Sequence, residues 1–567
     1  MTSDDVREPD GGHAEHPDPT APDGTVPSAT TTRLLDRRGA LLAGAAGVAT
    51  LVASACQPAP KPPPPLPRTT STTNAPSATT TTTTRAPSTT TTTTAPPPSG
   101  DEASYLHHAR RLTFGPTAAT LTELRSIGTS AWIDKQLNWS ALPDGTAGSV
   151  AIFPRVGQSA AQILGGAEPW LTRWDMGCAA LVRAVWSERQ LYELLCDFWT
   201  NHLNVDVNHD PSYAFVPTSD REVIRRHATG RFADMLVASA KSGAMMRYLD
   251  LSLSRADGGR LPNENYAREL MELHTVGVGG GYDEADIKEI AYLLSGWSLT
   301  DQDKGTFTFK SQWHNMGPLA TGGDVLGWRP GSLTGQVAGE SFLAHLARHP
   351  KTANRLAHKL AIRFISDQVK ATDAVVTNAA KAYSDNDTAI APMVRSLLTS
   401  AEFTASAGKK VRRPFEYLAA CMRAARLQFD PAKPVDFRWQ TQSSLELLGQ
   451  VPYGWPAPNG YPDSNAKWTT AGAMVARWNL APYAGVGFWL GAPTFDLARL
   501  MGSTPPATVG EAVDRLGASL LNTPLDAATR TAILNATGQQ AGDRWQSWYN
   551  TRGLVGYILQ TPLMQVR

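Results

Sequence analysis

The stretch that best indicates how this chain folds reads Asn263-Glu-Asn-Tyr-Ala-Arg-Glu-Leu-Met-Glu-Leu-His-Thr-Val-Gly277. At about 100° per residue, its tyrosine and leucine side chains fall on one side of a helix and its charged side chains on the other. Asn263 is expected to be the N-cap, and Gly277 is expected to end the helix in a left-handed conformation. The spacing therefore predicts an amphipathic helix over residues 263–274.

The polar face of this predicted helix allows two interpretations. In the first, Arg268 pairs with Glu272 and Asn265 with Glu269, both four residues apart, on a solvated surface. In the second, the face lines a cleft where Glu269 and Glu272 share a proton, a metal or a substrate hydroxyl. In a regular helix His274 points away from the glutamates, in the last turn, where the helix dipole favours a cation. Arg268, Glu269 and Glu272 are therefore candidate catalytic residues.

Helical periodicity dominates residues 101–567, where apolar residues recur at three- and four-residue spacing. The clearest predicted helices are 117–127, 129–137, 188–201, 220–227, 232–239, 263–274, 283–294, 352–365, 391–400, 414–426 and 470–480. Only residues 305–310 alternate like a strand, as one arm of a short hairpin, and residues 311–339 look irregular. We predict an all-α fold, a multi-helix globular domain with few short strands, whose length allows two lobes.

Composition excludes several classes of function. The 567 residues carry a formal net charge of +1, which argues against a nucleic-acid partner because such a partner needs a basic patch. The sequence has no Cys-x-x-Cys pair, so a thiolate zinc site has no support, and Cys178, Cys196 and Cys421 are expected to be buried thiols in helices. Gly-x-Ser-x-Gly and His-Glu-x-x-His motifs are also absent from the sequence.

The first hundred residues are predicted to be non-globular. Residues 1–32 are polar and are predicted to be disordered. In residues 33–56, Arg37 and Arg38 precede an apolar run, as in a twin-arginine export signal. The run is shorter than the about 20 residues that a membrane span needs. Residues 57–100 are rich in Pro and Thr and are predicted to form a disordered, extended linker.

The end of the signal region can be processed in two ways. Val52-Ala-Ser-Ala-Cys56 resembles a lipoprotein box, in which Cys56 would carry the lipid anchor. The alternative is ordinary cleavage after Ala55. Both predict an extracytoplasmic protein of the cell envelope, which contacts the membrane only if Cys56 is lipidated.

Two histidines are further candidates for chemistry. His202 ends the run Phe198-Trp-Thr-Asn-His202 and would serve either as a metal ligand or base, or as a helix end that binds main-chain oxygens. His314 lies in the irregular segment, where loops on rigid scaffolds often carry binding groups.

Two other patterns have both a structural and a functional interpretation. Lys351, Arg355, His358 and Lys359 share one helical face, which is either a solvated basic stripe or a wall that binds anions or the glutamate face. Five aromatic side chains cluster in a Pro- and Gly-rich stretch and would either stack on sugar rings or pack in the core or a lid. These are Tyr453, Trp455, Tyr461, Trp468 and Trp478.

The order of several segments resembles the exported bacterial family catalogued as "domain of unknown function 1800", over most of residues 104–485. The matching segments are 108–117, 198–202, 220–224, 263–297, 414–417, 449–456 and 468–479. The resemblance implies an exported, mainly helical protein and no established reaction. Members typically carry a His-Asp pair followed by a lysine, whereas this chain has His314-Asn315 and no lysine before Leu326, which weakens a metal or base role at Asn315.

Two hypotheses of function follow from the sequence. In the first, the protein is an exported cell-envelope enzyme, hydrolytic or metal-assisted, that uses Glu269, Glu272 and Arg268 with His202 or His314. In the second, it is a non-catalytic envelope protein that binds a ligand or assembles with a partner protein. The sequence specifies no cofactor, metal or particular partner.

Overall fold

The computed structural model describes residues 100–484, 497–546 and 549–567. The predicted disordered region, export signal, linker and Cys56 therefore lie outside the described residues, apart from residue 100. Within the described part the all-α prediction is confirmed, because helices dominate and the strands form one two-stranded sheet. All described residues belong to one compact unit, and the two lobes within 101–567 stay a prediction.

The helices of the first half of the chain are α1 (Gly100–Leu112), α2 (Ala118–Ile127), α3 (Thr129–Leu137), α4 (Ala147–Ala151), α5 (Ala160–Leu164), α6 (Thr172–Trp186), α7 (Gln190–His202), α8 (Val216–Ser219), α9 (Phe232–Ala240), α10 (Gly243–Tyr248), α11 (Asn265–Glu269) and α12 (Glu284–Leu293). Strand β1 (Trp297–Leu299) then pairs antiparallel with β2 (Phe307–Phe309). This pairing confirms the predicted hairpin arm.

The helices of the second half are α13 (Gly335–Arg348), α14 (Pro350–Phe364), α15 (Ala374–Asp385), α16 (Ile390–Leu398), α17 (Ala401–Thr404), α18 (Pro414–Ala424), α19 (Pro434–Leu448), α20 (Asn465–Trp468), α21 (Ala471–Ala484), α22 (Leu497–Met501), α23 (Val509–Leu521), α24 (Ala527–Thr537), α25 (Tyr549–Leu559) and α26 (Pro562–Gln565). None of the helices in the described residues combines the length and the apolar character needed to cross a membrane.

The core forms around α6, which packs against both α7 and α18, and all three helices bury most of their side chains. Apolar residues recur along all their faces, as expected for helices surrounded by protein. The expected buried thiols are confirmed, since Cys178, Cys196 and Cys421 are buried and unpaired. This packing holds the end of α7 and the beginning of α18 close to α14, and the three elements together carry the charged site described below.

The predicted helix 263–274 is present, but two of its details were wrong. The α-helix begins at Asn265 after Glu264, and Asn263 instead accepts the main-chain N–H of Asn265 at 2.8 Å. A π-helical turn then replaces regular α-helix over Leu270–His274. The angular spacing of an α-helix does not apply through this wider turn, so it does not place His274. The left-handed stop is confirmed, because Gly277 has φ +86°.

Candidate functional site

A cleft of about 530 Å³ opens where the end of α7, the middle of α14 and the loop 455–464 meet. This volume lies in the range of small-molecule sites. Its walls carry charged, aromatic and small polar side chains. They include Phe198, Asn201, His202, Lys359, Arg363, Arg413, Trp455, Asn459, Tyr461, Asp463, Ser464 and Lys467.

His202 and Lys359 form a hydrogen-bonded pair in one wall of this cleft. The imidazole Nε2 of His202 donates to the main-chain oxygen of His274 at 3.1 Å, because that oxygen can only accept. Nδ1 is therefore the unprotonated nitrogen, and it accepts from Nζ of Lys359 at 2.9 Å. Burial, followed by the charge of Lys359, holds the pKa of His202 well below its ordinary value. His202 is thus a neutral imidazole that orients the lysine.

Lys359 lines the cleft, and its surroundings bring its pKa close to neutrality. Its surroundings lower its pKa to about 7, first through burial and then through the positive charge of Arg355, whereas Asp463 acts in the opposite direction. The residue is only partly buried and lines the cleft. A lysine with a pKa near neutrality is a free amine in a large share of molecules, and it can accept a proton from a bound ligand.

Two buried arginines face the same cleft and are held by carboxylates behind it. Asp197 of α7 accepts from Nη2 of Arg363 at 2.9 Å and also contacts Arg413. Asp463 lies 3.6 Å from Nε of Arg363 and 3.3 Å from Nζ of Lys410. Burial alone would raise the pKa of Asp463, but the positive charges of Arg363 and Lys410 hold it at about 2. Asp463 is therefore an anion at every physiological pH.

Glu416 does not line the cleft, but it contacts both of these arginines. Its carboxylate lies 2.5 Å from Nη2 of Arg363 in an ion pair, and it accepts hydrogen bonds from Arg567 at 2.8 Å and from the main-chain N–H of Arg413 at 2.9 Å. Burial would raise the pKa of Glu416, but the three arginines hold it well below its ordinary value. The carboxylate thus positions the guanidinium groups that face the cleft.

The loop 455–464 is fixed to the end of α7 by side-chain amides. Asn201 and the main chain of Tyr461 exchange two hydrogen bonds, of 2.8 and 2.6 Å. Asn204 donates to the main-chain oxygens of Trp455 and Ala457 at 2.9 and 2.8 Å. Gly460 has φ +71°, and a Cβ at this position would overlap the main-chain oxygen of Asn201. The close approach of α7 and the loop therefore requires glycine here.

The predicted glutamate face lies elsewhere on the chain's surface. Arg268 donates to Glu284 at 2.8 and 2.7 Å and lies 3.8 Å from Glu272, which agrees with the solvated interpretation of that pair. Glu269 is partly buried, and burial raises its pKa, followed by the charge of Glu272. These three side chains do not line the cleft that contains His202. Their catalytic role stays a prediction.

Glutamine variants test whether Glu269 has a partner that matters for stability. Because the folded state raises the pKa of Glu269, its charged form opposes folding at neutral pH. Glu269→Gln is therefore expected to raise the free energy of unfolding slightly, by up to about 0.5 kcal/mol, since solvent screens the effect. Glu272→Gln is the matched control. It loses the contact with Arg268 and should lower the free energy of unfolding by a few tenths of a kcal/mol. Urea unfolding at pH 7 measures both, and a loss above about 1 kcal/mol for Glu269→Gln would contradict the expectation.

His314 does not line the cleft that contains His202. Its Nδ1 donates to the main-chain oxygen of Ser295 at 2.9 Å, and its ring packs on Phe309. Its Nε2 is buried without a hydrogen-bond partner, and burial lowers its pKa. Among the described residues, no group of three His, Cys, Asp or Glu side chains is arranged to hold a metal ion.

Three of the basic side chains on α14 bind main-chain oxygens of neighbouring segments, and Lys351 is also exposed to solvent. Lys351 donates to the main-chain oxygen of Gly280 at 2.9 Å, and His358 binds that of Val369 at 2.8 Å. Arg355 donates to the main-chain oxygen of Leu273 at 3.3 Å and so binds the end of the π-helical turn. Lys351, Arg355 and His358 thus bind main-chain oxygens of neighbouring segments, and Lys359 is the member of the stripe that lines the cleft.

Sequence reasoning missed the arginines and aspartates of the cleft. Arg363 follows Lys359 by four residues, which places both on one face of α14, and this spacing was the available signal. Arg413 stands directly before the matched segment 414–417, but a single arginine there has no recognisable pattern. Asp197 and Asp463 lie in separate segments, and no local spacing links them. Of the five aromatic residues, Trp455 and Tyr461 line the cleft and Trp468 is buried.

The fold and the site define an all-helical protein with a cationic cleft around a desolvated lysine–histidine pair. The chain belongs to the family described as "Protein of unknown function (DUF1800)", whose model matches residues 107–566. This match confirms the resemblance drawn from the sequence segments. Searches of curated proteins and of solved structures found no match to the chain.

Proposed function

We propose that the protein is an exported, hydrolytic enzyme of the cell envelope and that Lys359 is its general base. The observation that carries this proposal is the contact between Lys359 and the neutral imidazole of His202 in a cleft of ligand size. A lysine that is free of its proton near pH 7 removes a proton from water or from a ligand hydroxyl efficiently, because its pKa matches the operating pH.

The cleft supplies two other elements of such a reaction. His202 is a positioning residue, because both its ring nitrogens are engaged and it holds the lysine amine through Nδ1. Arg363 and Arg413 provide positive charge in a partly desolvated wall, where they would stabilise negative charge that develops on a reacting oxygen. The metal-assisted version of the hypothesis has no supporting set of ligands among the described residues.

A non-catalytic binding protein is the second candidate function. It is favoured by the carboxylates of Asp197 and Glu416, which already neutralise part of the charge of the two arginines. In that case Lys359 would contact the ligand without exchanging a proton with it. The titration of Lys359 and a search for turnover separate the two functions.

Amine-reactive labelling measures the state of Lys359. The labelling rate of the Lys359 peptide, followed by mass spectrometry, is expected to rise with a midpoint near pH 7, where its pKa of about 7 places it. Arg355→Gln removes a positive charge and should shift this midpoint upward, while Arg395→Gln, which changes an exposed arginine paired with Asp134, should not. A midpoint near the ordinary lysine value of about 10.4 would contradict the proposal that Lys359 is a general base.

Turnover is tested with the full chain and panels of chromogenic esters, phosphates and glycosides. Hydrolysis that Lys359→Met abolishes, with a pH profile that rises through about 7, is the expected result for an enzyme. Binding without turnover in every panel would favour the binding protein instead.

The export proposal rests on the sequence of residues 33–56, which lie outside the described residues. Replacing Arg37 and Arg38 together by lysine is expected to retain the protein in the cytoplasm, because twin-arginine signals require the arginine pair. Cys56→Ser should release an exported protein from the membrane fraction if Cys56 carries a lipid. Cell fractionation measures both. Export of the double variant at the normal level would contradict the twin-arginine route.

A further inference from the structure

We infer that the cleft binds an anionic saccharide, meaning a sugar ring that bears a carboxylate or phosphate group. This inference rests on the same cleft as the proposed function and deepens it by giving the class of ligand. It does not depend on Lys359 acting as a base. The supporting observations are the charge balance of the walls, an unsatisfied guanidinium group and the placement of the aromatic side chains.

Positive charge exceeds negative charge in the walls of the cleft. Arg363, Arg413 and Lys467 carry full positive charges there, whereas Asp463 is the acidic side chain among the lining residues. Behind the walls, Asp197, Glu416 and Asp367 add three negative charges and Lys410 and Arg567 add two positive charges. One net positive charge therefore remains even when Lys359 is neutral. Such an excess in a concave, partly desolvated site attracts an anion.

Arg363 has a hydrogen-bonding group with no partner in the described residues. Its side chain is 1% exposed, yet Nη1 forms no hydrogen bond, and Nε of Arg413 is in the same state. A buried N–H group that lacks an acceptor costs about 1–3 kcal/mol, and more when it is charged. Both arginines line the cleft, so a ligand oxygen that reaches either of these N–H groups removes this cost. Arginine donates in a planar fork that matches carboxylate and phosphate oxygens.

The loop 455–464 gives the cleft side chains that suit a sugar ring. Trp455 is partly buried and packs on Tyr461 with ring centroids 4.8 Å apart. Its indole N–H is already used by Asn459 at 2.8 Å, so the apolar face of the ring is what remains for a ligand. Ser464 also lines the cleft and supplies a hydroxyl for ligand hydroxyl groups. An aromatic face beside small polar side chains fits a ring that is apolar on its faces and polar at its edge.

Calorimetric titration of the full chain with four probes tests this inference. Glucuronate and glucose 6-phosphate carry the anionic group on a sugar ring, while glucose and inorganic phosphate each lack one half. At least one anionic sugar is expected to bind tenfold or more tightly than glucose and inorganic phosphate, and its affinity should fall as salt is added. If only one of the two anionic sugars binds, its anionic group, carboxylate or phosphate, is the one that the cleft recognises. Equal binding of inorganic phosphate, or no binding of either anionic sugar, overturns the inference.

A lysine at the mouth of the cleft provides the matched variants. Lys467 is exposed and has no hydrogen-bond or ion-pair partner in the described residues, so Lys467→Ala should leave the fold intact. It is expected to weaken the anionic sugar about three- to tenfold. Lys433→Ala removes an exposed lysine that does not line the cleft, and it should not change the affinity. Equal effects of the two variants would show that the sugar binds elsewhere.

The failure of this inference and that of the proposed function give different results. If anionic sugars bind but the Lys359 peptide labels as an ordinary lysine, the proposed ligand class is supported and the proposed role of Lys359 as a base is wrong. If the labelling midpoint lies near the pKa of about 7 but no anionic sugar binds, the proposed role of Lys359 as a base is supported and the proposed ligand class is wrong.

Discussion

Glu416→Gln is expected to lower the free energy of unfolding by about 3–5 kcal/mol, the loss typical of a broken buried ion pair. The carboxylate is 1% exposed and contacts Arg363 at 2.5 Å and Arg567 at 2.8 Å, and both of these side chains are also 1% exposed. Glutamine keeps the shape but removes the charge, so the guanidinium groups remain buried without their counter-ion. Urea unfolding at pH 7 measures the difference.

The effect of Glu416→Gln should shrink in acid. The folded state holds the pKa of Glu416 well below 4.5, and that of Asp463 at about 2 instead of 3.8. For a carboxylate with a lowered pKa, the stabilisation is complete above the unfolded-state pKa and is lost as the pH falls through the folded-state pKa. The wild-type protein should therefore lose stability progressively below about pH 4.5, and the gap to the variant should narrow there.

A surface carboxylate is the control for Glu416. Glu222 lies 3.6 Å from Arg226, and both side chains are more than half exposed. Glu222→Gln should change the free energy of unfolding by less than about 0.5 kcal/mol, because water screens the pair. A loss below about 1 kcal/mol for Glu416→Gln would mean that the arginine cluster is more hydrated than its burial indicates.

Gly460→Ala should destabilise the protein by about 3 kcal/mol and distort the cleft. The residue has φ +71°, and an added Cβ would overlap the main-chain oxygen of Asn201. A left-handed alanine costs about 1–2 kcal/mol by itself, and the overlap forces either α7 or the loop to move. Moving the loop breaks the two hydrogen bonds between Asn201 and Tyr461. Unfolding measurements give the energy, and amide hydrogen exchange of residues 455–464 reports the displacement.

Gly449→Ala separates the overlap from the cost of the backbone conformation. Gly449 has φ +78° at the end of α19, but nothing lies within 4 Å of a Cβ built there. The control should therefore lose only about 1–2 kcal/mol and leave the loop and the anionic-sugar affinity unchanged. Equal losses for the two glycine variants would show that α7 and the loop adapt freely to the extra carbon.

The sequence was sufficient for most of the fold because helices depend on local patterns. The range predicted as 117–127 agrees with α2 except at its first residue, because Thr117 caps the helix by accepting the N–H of Thr120. The range predicted as 129–137 coincides with α3. The π-helical turn at Leu270–His274 could not be predicted, since it forms where Thr275 and Gly277 bind main-chain oxygens of the turn. Whether these two hydrogen bonds form depends on how residues 275–277 pack against neighbouring segments.

The site was predicted only in fragments. His202 was identified from its polar neighbours and Lys359 from a basic stripe, but nothing in either segment indicated that they touch. They are 157 residues apart in sequence. The glutamate face attracted attention because its charges are dense in the sequence, although charge density alone does not distinguish a solvated helix from a cleft.

The sequence by itself determined the helical class, the family, the buried thiols and the position of the hairpin arm. These properties follow from local periodicity, turn residues and segment order. Only the tertiary structure decided which titratable groups lie in the cleft and which are solvated or used as caps. The physical reason is that the pKa of Lys359 depends first on burial and then on the charges of Arg355 and Asp463. This burial exists only when α7, α14, α18 and the loop 455–464 have come together.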